Sequence, residues 1–132
     1  MQDRPTYDEL LAAVARFLDD EIVPHVEGSR GFHARVAANA IRIVRRELGS
    51  EDGTLSAEWS GLDALLGRKD RPAARRALRE ALRARNAELC ERIRSGEAEE
   101  GPFARHVFEH VRQTVRDKLR ASDPELLRRS EQ

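Results

Sequence analysis

Apolar side chains recur every three or four residues along most of this chain, which is the spacing of one face of an α-helix. The first such segment lies between Thr6 and Pro24. Thr6 and Glu9 have the spacing of a capping box, in which each side chain accepts a hydrogen bond from a free backbone N–H group. Pro24 lacks that donor and interrupts the pattern. We therefore predict a first helix of about five turns. Its apolar face contains Leu10, Leu11, Val14, Phe17, Leu18 and Ile22.

Glycines separate the next two predicted helices. A turn at Gly28–Gly31 precedes the second amphipathic segment, and Gly49 stands where a helix-ending glycine is common. We predict a polar loop over Ser50–Thr54. A short third helix then begins at Ser56, a favourable N-cap residue, and ends at Gly67. The apolar face of the second helix is predicted to contain Phe32, Val36, Ala37, Ala40, Ile41, Val44 and Leu48.

Two long helices follow. Pro72 suits the first turn of the fourth helix, which ends at Gly96, and Gly101–Pro102 begins a fifth helix that ends at Asp123–Pro124. A last turn is expected at Leu126–Leu127. The apolar face of the fifth helix is predicted to contain Phe103, Val107, Val111, Val115 and Leu119. Because no period-two alternation indicates a strand, the pattern predicts an all-α fold. We expect an antiparallel helical bundle of four long helices plus one short helix, in a single domain over residues 1–132.

Composition narrows the class of protein. The 24 basic and 24 acidic side chains cancel, and aromatic residues make up only 5% of the chain, which argues against a nucleic-acid partner. No uncharged apolar stretch approaches the roughly 20 residues that cross a bilayer, so no membrane partner is expected. The single cysteine, Cys90, cannot form an internal disulfide, and the N-terminal residues do not resemble a leader. We therefore expect a cytoplasmic protein.

The second helix carries the candidate ligand-binding residues. Arg35, Asn39 and Arg46 lie on a polar stripe of this helix, and the glycine turn before it suits an anion. A solvated helix face is the simpler interpretation. His33 shares a face with alanines, which favours a hydrogen-bonded core histidine, with a general base or ligand contact as the alternative. The candidate set is thus His33, Arg35, Asn39 and Arg46.

Three further patterns have structural explanations. His106 and His110, four residues apart on the fifth helix, make only half of a metal site, so we expect neither metal nor cofactor. Arginines of the fourth helix have the spacing to hold phosphates, but they also match the acidic first helix as packing or dimer partners. These arginines are Arg75, Arg79 and Arg83. Asn39 and Asn86 lie in helix interiors, where an interhelical hydrogen bond would account for them.

Several segments together resemble a bacterial domain family of uncharacterised function, about 100 to 130 residues long. They are Asp3–Thr6 with Glu9–Leu11, then Phe32–Ala40 and Val44–Leu48, and more faintly Asn86, Leu89, Ile93–Arg94, Gly96, Val115–Leu119 and Pro124. Members of that family are encoded beside or fused to aminoglycoside-phosphotransferase-like kinases, often near acyl-CoA dehydrogenases. The resemblance implies a small accessory protein in such a pathway, and it carries no catalytic residues over to this chain.

We therefore expect an accessory or interaction domain that binds a phosphotransferase-like kinase in an acyl-CoA-related pathway and pairs with itself. The chain lacks the glycine-rich phosphate loop and metal-holding aspartate motif of a kinase, so it is not itself the phosphotransferase. The alternative is a domain that binds, or acts on, a small phosphorylated or CoA-linked molecule through the polar residues of the second helix.

Overall fold

A computed structural model describes residues 4–130 of the chain. Five α-helices follow one another: α1 (Tyr7–Phe17), α2 (Gly28–Leu66), α3 (Arg75–Arg94), α4 (Gly101–Ser122) and α5 (Pro124–Ser130). These described residues contain no β-strand. The all-α fold class is therefore confirmed, whereas the antiparallel bundle arrangement remains a prediction.

Helix α1 begins as its sequence predicts. The N–H of Thr6 donates to Glu9 Oε2 at 2.7 Å, and the N–H of Glu9 donates to Thr6 Oγ1 at 3.3 Å, which completes the capping box. After Phe17 the helix widens into a π-turn over Leu18–Ile22 and then tightens into a 3-10 turn over Val23–His25. Helical structure thus ends one residue after Pro24, as the missing N–H donor requires.

Helix α2 overturns the prediction for the centre of the chain. It runs without a break through Gly49 and Gly53, so the predicted loop over Ser50–Thr54 and the separate third helix from Ser56 are wrong. Neither glycine has the positive φ of a helix-ending glycine. A glycine inside a helix lowers its stability by only about 1 kcal/mol relative to alanine, so the packing of the neighbouring turns can offset that loss. The helix ends where predicted, because Gly67 has φ of 88°.

The later helix bounds mostly follow the sequence. Pro72 lies before α3 rather than in its first turn, because Ala74 is the extended N-cap residue and helix geometry begins only at Arg75. Helix α3 ends before Gly96, whose φ is 89°. The start of α4 at Gly101 and the last turn around Leu127 are confirmed.

The chain divides into two compact units. The central unit comprises Glu51–Leu119, and the terminal unit comprises the described residues up to Ser50 together with those from Arg120 onward. The central unit has an ordinary core, because leucines from α2 and α3 pack together with one aromatic ring. The buried residues are Trp59, Leu62, Leu65, Leu78, Leu82, Leu89 and Val107. The single domain over residues 1–132 stays a prediction.

The terminal unit is built differently. Its buried apolar residues are Ala15, Ala34, Ala38, Ala121 and Leu127. Ion pairs join its first two helices, because Asp8 accepts two hydrogen bonds from Arg45 at 2.9 and 3.0 Å and Asp19 pairs with Arg42. Larger apolar side chains stay exposed although their spacing predicted burial. They are Leu10, Val14, Phe17, Phe32, Val36, Val44 and Leu48.

Candidate functional site

A polar recess of about 340 Å³ lies in the terminal unit, where α4 gives way to α5. Arg46 of α2 donates from Nε to the carbonyl of Ala121 at 2.7 Å and so satisfies one of the free carbonyls at the end of α4. Asp123 accepts a hydrogen bond from the N–H of Leu126 at 3.0 Å and thereby caps α5. The recess is lined by Asn39, Arg46, Ser122, Asp123, Pro124, Glu125 and Arg128.

The charges around this recess are balanced. Arg46 and Arg128 bring two guanidinium groups, while Asp123 and Glu125 bring two carboxylates. The hydrogen bond from Arg129 to Glu125, 2.6 Å long, lowers the pKa of that carboxyl. An amide, two cations and two anions suit a small polar molecule that both donates and accepts hydrogen bonds.

The structure brings two of the four predicted site residues together. Asn39 and Arg46 are seven positions apart, which is about two turns, and both line the recess. His33 and Arg35 do not line it. Because His33 is exposed, with its ring edge-to-face against Phe32 at 5.6 Å between centroids, the prediction of a core histidine is wrong.

A second polar cluster lies in the central unit. Asn86 of α3 donates from Nδ2 to Glu58 Oε1 of α2 at 2.7 Å, so the predicted interhelical hydrogen bond is confirmed for this asparagine. His110 of α4 approaches α2 so closely that a Cβ added to Gly61 would lie 2.2 Å from its Nδ1. Burial lowers the pKa of His110, and the negative charge of Glu58 opposes that shift. The cluster is a packed helix contact in which burial disfavours the charged form of the imidazole.

Sequence reasoning did not single out Glu58. It is one of many glutamates in the chain, and its partner Asn86 lies 28 residues away. The only local signal was Asn86 itself, because the side chain of an asparagine inside a helix is expected to form a hydrogen bond. Among residues 4–130, no three His, Cys, Asp or Glu side chains gather in a group that could hold a metal ion.

The arginines of α3 serve the fold of the central unit. Arg75 contacts Glu51 and Asp52 of α2 at 3.3 and 3.0 Å, and Arg79 also pairs with Glu51. Within the central unit, the acidic partners of Arg75 and Arg79 are therefore on α2. Arg92 donates to the carbonyl of Leu65 at 3.1 Å, near the end of α2.

An apolar stripe runs along the exposed side of α4. Phe108 is 67% exposed, and Val111 and Val115 are about half exposed. We call these three residues the α4 stripe; their spacing of three and four places them on one helix face. The guanidinium of Arg112 lies 6.0 Å from the centroid of the Phe108 ring. The predicted burial of Val111 and Val115 is wrong, whereas that of Val107 is confirmed.

Comparison with known protein families identifies a match over most of the chain. A family model described as Domain of unknown function (DUF6285) matches residues 24–126, which is most of the chain. No curated protein matches, and no solved structure matches. None of the helices in the described part of the chain is long and apolar enough to cross a membrane.

Proposed function

Because this chain belongs to the DUF6285 family of domains of unknown function, whose matched region includes the whole of α4, we propose that it is an accessory module that binds a partner protein. The partner we propose is a phosphotransferase-like kinase that works in an acyl-CoA-related pathway in the cytoplasm. The observation that carries the proposal is the α4 stripe.

The α4 stripe has the chemistry of a protein-binding surface. Aromatic residues and arginine are both enriched at protein interfaces, and Phe108 has Arg112 beside it. Contiguous apolar side chains on a helix surface are stabilised when a partner removes them from water. Arg75 and Arg79, by contrast, are paired with α2 carboxylates and are less available to a partner.

The kinase as partner rests on the family resemblance of the sequence. The chain has no phosphate-binding loop of its own, so chemistry on a phosphorylated substrate would belong to the partner. An accessory domain needs only a surface that is specific for that partner. The α4 stripe lies inside the segment that the family model matches, which is where a surface shared by the family would lie.

Binding to the kinase can be measured by co-expression and size-exclusion chromatography at moderate salt. We expect a joint peak for the natural chain, and at least tenfold weaker binding for Phe108→Ala, because truncating an interface anchor costs about 2 kcal/mol or more. Phe32→Ala is the matched control, since Phe32 is an exposed phenylalanine on a different helix. Absence of a joint peak, or equal weakening by both variants, would contradict the proposal.

A second function is favoured by the recess at the start of α5. Asn39, Arg46 and Arg128 line it beside two carboxylates, so the alternative proposal is a binding site for a small phosphorylated or CoA-linked molecule that offers hydrogen-bond donors as well as phosphate oxygens. A ligand at one hundred times its dissociation constant should raise the stability by about 2.7 kcal/mol. Thermal shift with phosphate esters and acyl-CoA compounds measures this effect.

The variants for this test follow from the lining of the recess. Arg128→Ala should reduce the thermal shift, while His33→Ala, at a position outside the recess, should leave it unchanged. If no compound shifts the unfolding temperature, or if both variants respond alike, the ligand-binding function is excluded in this form.

A further inference from the structure

Helix α1 exposes a second apolar surface, which lies in the terminal unit. Tyr7, Leu10, Val14 and Phe17 are 41 to 54% exposed and follow one another at steps of three, four and three residues. We call these four residues the α1 stripe. Steps of three and four form the seam by which two helices pack side by side.

The terminal unit does not cover this seam from within. Ala15 is the buried residue of α1, and its side chain is far smaller than those of the α1 stripe. Apart from Leu127, the buried apolar residues of the unit are alanines, while larger apolar side chains stay in water, which is the reverse of an ordinary core. Binding of a partner over the α1 stripe would be favourable, because it would remove from water apolar surface that the single chain leaves exposed.

We propose that the α1 stripe binds the same stripe of a second copy of this chain, with the two helices antiparallel, to form a homodimer. This proposal is independent of the kinase-binding function, because it uses a different helix. A twofold axis makes such a surface isologous, so each residue must face a suitable residue of the other copy.

The spacing of the stripe satisfies that requirement. Positions 7 and 17, and positions 10 and 14, are symmetric about residue 12. In the antiparallel arrangement Tyr7 therefore faces Phe17 of the second copy, and Leu10 faces Val14. Each aromatic ring thus meets a ring, and each aliphatic side chain meets an aliphatic one.

A recess at the end of the stripe suits the tyrosine. It has a volume of about 240 Å³ and is lined by Ala13, Arg16, Phe17, Asp20 and Glu21. Tyr7 of the second copy would place its ring against Phe17 and its hydroxyl near the charged rim. Tyrosine is favoured in such positions because one end of its side chain is apolar and the other forms hydrogen bonds.

Charge selects the antiparallel direction. Asp20 and Glu21 are exposed at one end of the helical segment, and Arg4 is exposed at the other. Parallel helices would place the acidic ends of both copies side by side, where like charges repel. Antiparallel helices instead place the Asp20–Glu21 end of each copy near the Arg4 end of the other.

The size of the contact sets the expected affinity. Four half-exposed apolar side chains offer about 50 to 100 Å² each, so the two copies together bury roughly 600 Å² of apolar surface. That is below the roughly 1,200 Å² of a stable standard interface and within the range of transient contacts. We therefore expect a weak dimer, with a dissociation constant on the order of tens to hundreds of micromolar.

Sedimentation velocity over a series of concentrations tests the dimer. The natural chain should change from monomer to dimer over tens to hundreds of micromolar, and Val14→Glu should weaken dimerisation at least tenfold. Val44→Glu is the matched control, because Val44 is a similarly exposed valine on α2 of the same unit. Circular dichroism of each variant confirms that it is helical.

Three results would overturn the proposal. The first is a natural chain that stays monomeric up to about a millimolar, a concentration above the expected dissociation constant. The second is an equal effect of Val14→Glu and Val44→Glu. The third is a monomeric chain in which Val14→Glu instead abolishes kinase binding, because the α1 stripe would then hold the kinase. Loss of dimerisation with kinase binding intact separates this proposal from the function proposed above.

Cross-linking tests the direction of the helices. In a Cys90→Ser background, which removes the natural cysteine, Leu10→Cys and Val14→Cys chains are mixed and treated with a short thiol cross-linker. The antiparallel register predicts faster linking between the two different chains than between identical ones, with a size tag to tell them apart. Faster linking of Val14→Cys to itself would indicate parallel helices and overturn the register.

Discussion

Arg85 shows how one residue connects two helices of the central unit. Its side chain is only 3% exposed, and its guanidinium lies 4.7 Å from the centroid of the Trp59 ring. It pairs with the Asp63 carboxylate and donates to the carbonyls of Leu62 and Gly67 at 3.0 and 2.6 Å. The Gly67 carbonyl lies just past the end of α2, where the helix supplies no partner of its own. Arg85 thus caps one helix from another.

Replacing Arg85 should therefore be costly. We expect Arg85→Met, which keeps most of the side-chain volume, to lower the free energy of unfolding by about 2–4 kcal/mol, because buried carbonyls and a carboxylate lose their partner. Urea denaturation measures the change. Arg76→Met is the control, since the Arg76 side chain is 93% exposed and its pair with Glu80 contributes little. A loss of stability as small as that of the control would contradict the capping role.

At the scale of the secondary-structure element, the continuity of α2 predicts how replacing two of its glycines changes stability. A Cβ added at Gly49 or Gly53 would meet nothing within 4 Å, and both residues are inside a continuous helix. Gly49→Ala and Gly53→Ala should each raise the free energy of unfolding by about 0.5–1 kcal/mol, because alanine loses less backbone entropy in a helix. If a loop interrupted α2 at Gly49, as the sequence pattern predicted, the same substitution would destabilise the protein. Urea denaturation of each variant distinguishes the two structures.

Gly61 provides the opposite case in the same helix. Its added Cβ would lie 2.2 Å from Nδ1 of His110, so the ring would have to move. Gly61→Ala should destabilise the protein by about 1–3 kcal/mol, as overpacking does. The double variant Gly61→Ala with His110→Ala should recover part of that loss, since the clash is gone. Additive losses in the double variant would show that contact with His110 is not the cause.

The helices were predictable where a local signal marks their ends. The capping box of Thr6 and Glu9, the glycine at Gly67 and the proline at Pro124 each act on the adjacent backbone, so the sequence shows them. The passage of α2 through Gly49 was not predictable in this way. The helix is stabilised there by ion pairs, because Arg75 and Arg79 bind carboxylates in the turn after Gly49 although they lie more than twenty residues away in sequence.

The candidate site was predictable to the same extent. Asn39 and Arg46 share a helix face by spacing alone, and the structure places both in one recess. Asp123 and Arg128 complete that recess from the far end of the chain, and no local pattern indicated that they would meet α2. The exposed apolar stripes were missed for a related reason, because periodicity shows that a face is apolar and not which partner covers it.

At the scale of the whole molecule, protonation of His110 and of several carboxylates lowers the free energy of unfolding as the pH falls. His110 has a lowered pKa because burial disfavours its charged form. The unfolded chain therefore binds a proton at this position more readily than the folded one, so the stabilisation from the neutral imidazole is complete above about pH 6.5 and is lost as the pH falls. His110→Phe should remove this part of the pH dependence in urea denaturation series at pH 7.5 and 5.5, both values being about one unit from 6.5.

The carboxylates of Asp63 and Asp8 affect the free energy of unfolding at a lower pH than His110 does. Hydrogen bonds from Arg85 and Arg45 lower the pKa of Asp63 and of Asp8 below the ordinary value of 3.8. A carboxyl with a lowered pKa stabilises the fold above that ordinary value, and the stabilisation is lost as the pH falls through the lowered one. We expect the free energy of unfolding to fall steeply below about pH 4, and Asp63→Asn to show a smaller fall than the natural chain. Asp70→Asn, at an exposed position, is the control; an equal fall in both variants would show that the Asp63 pair does not contribute to acid sensitivity.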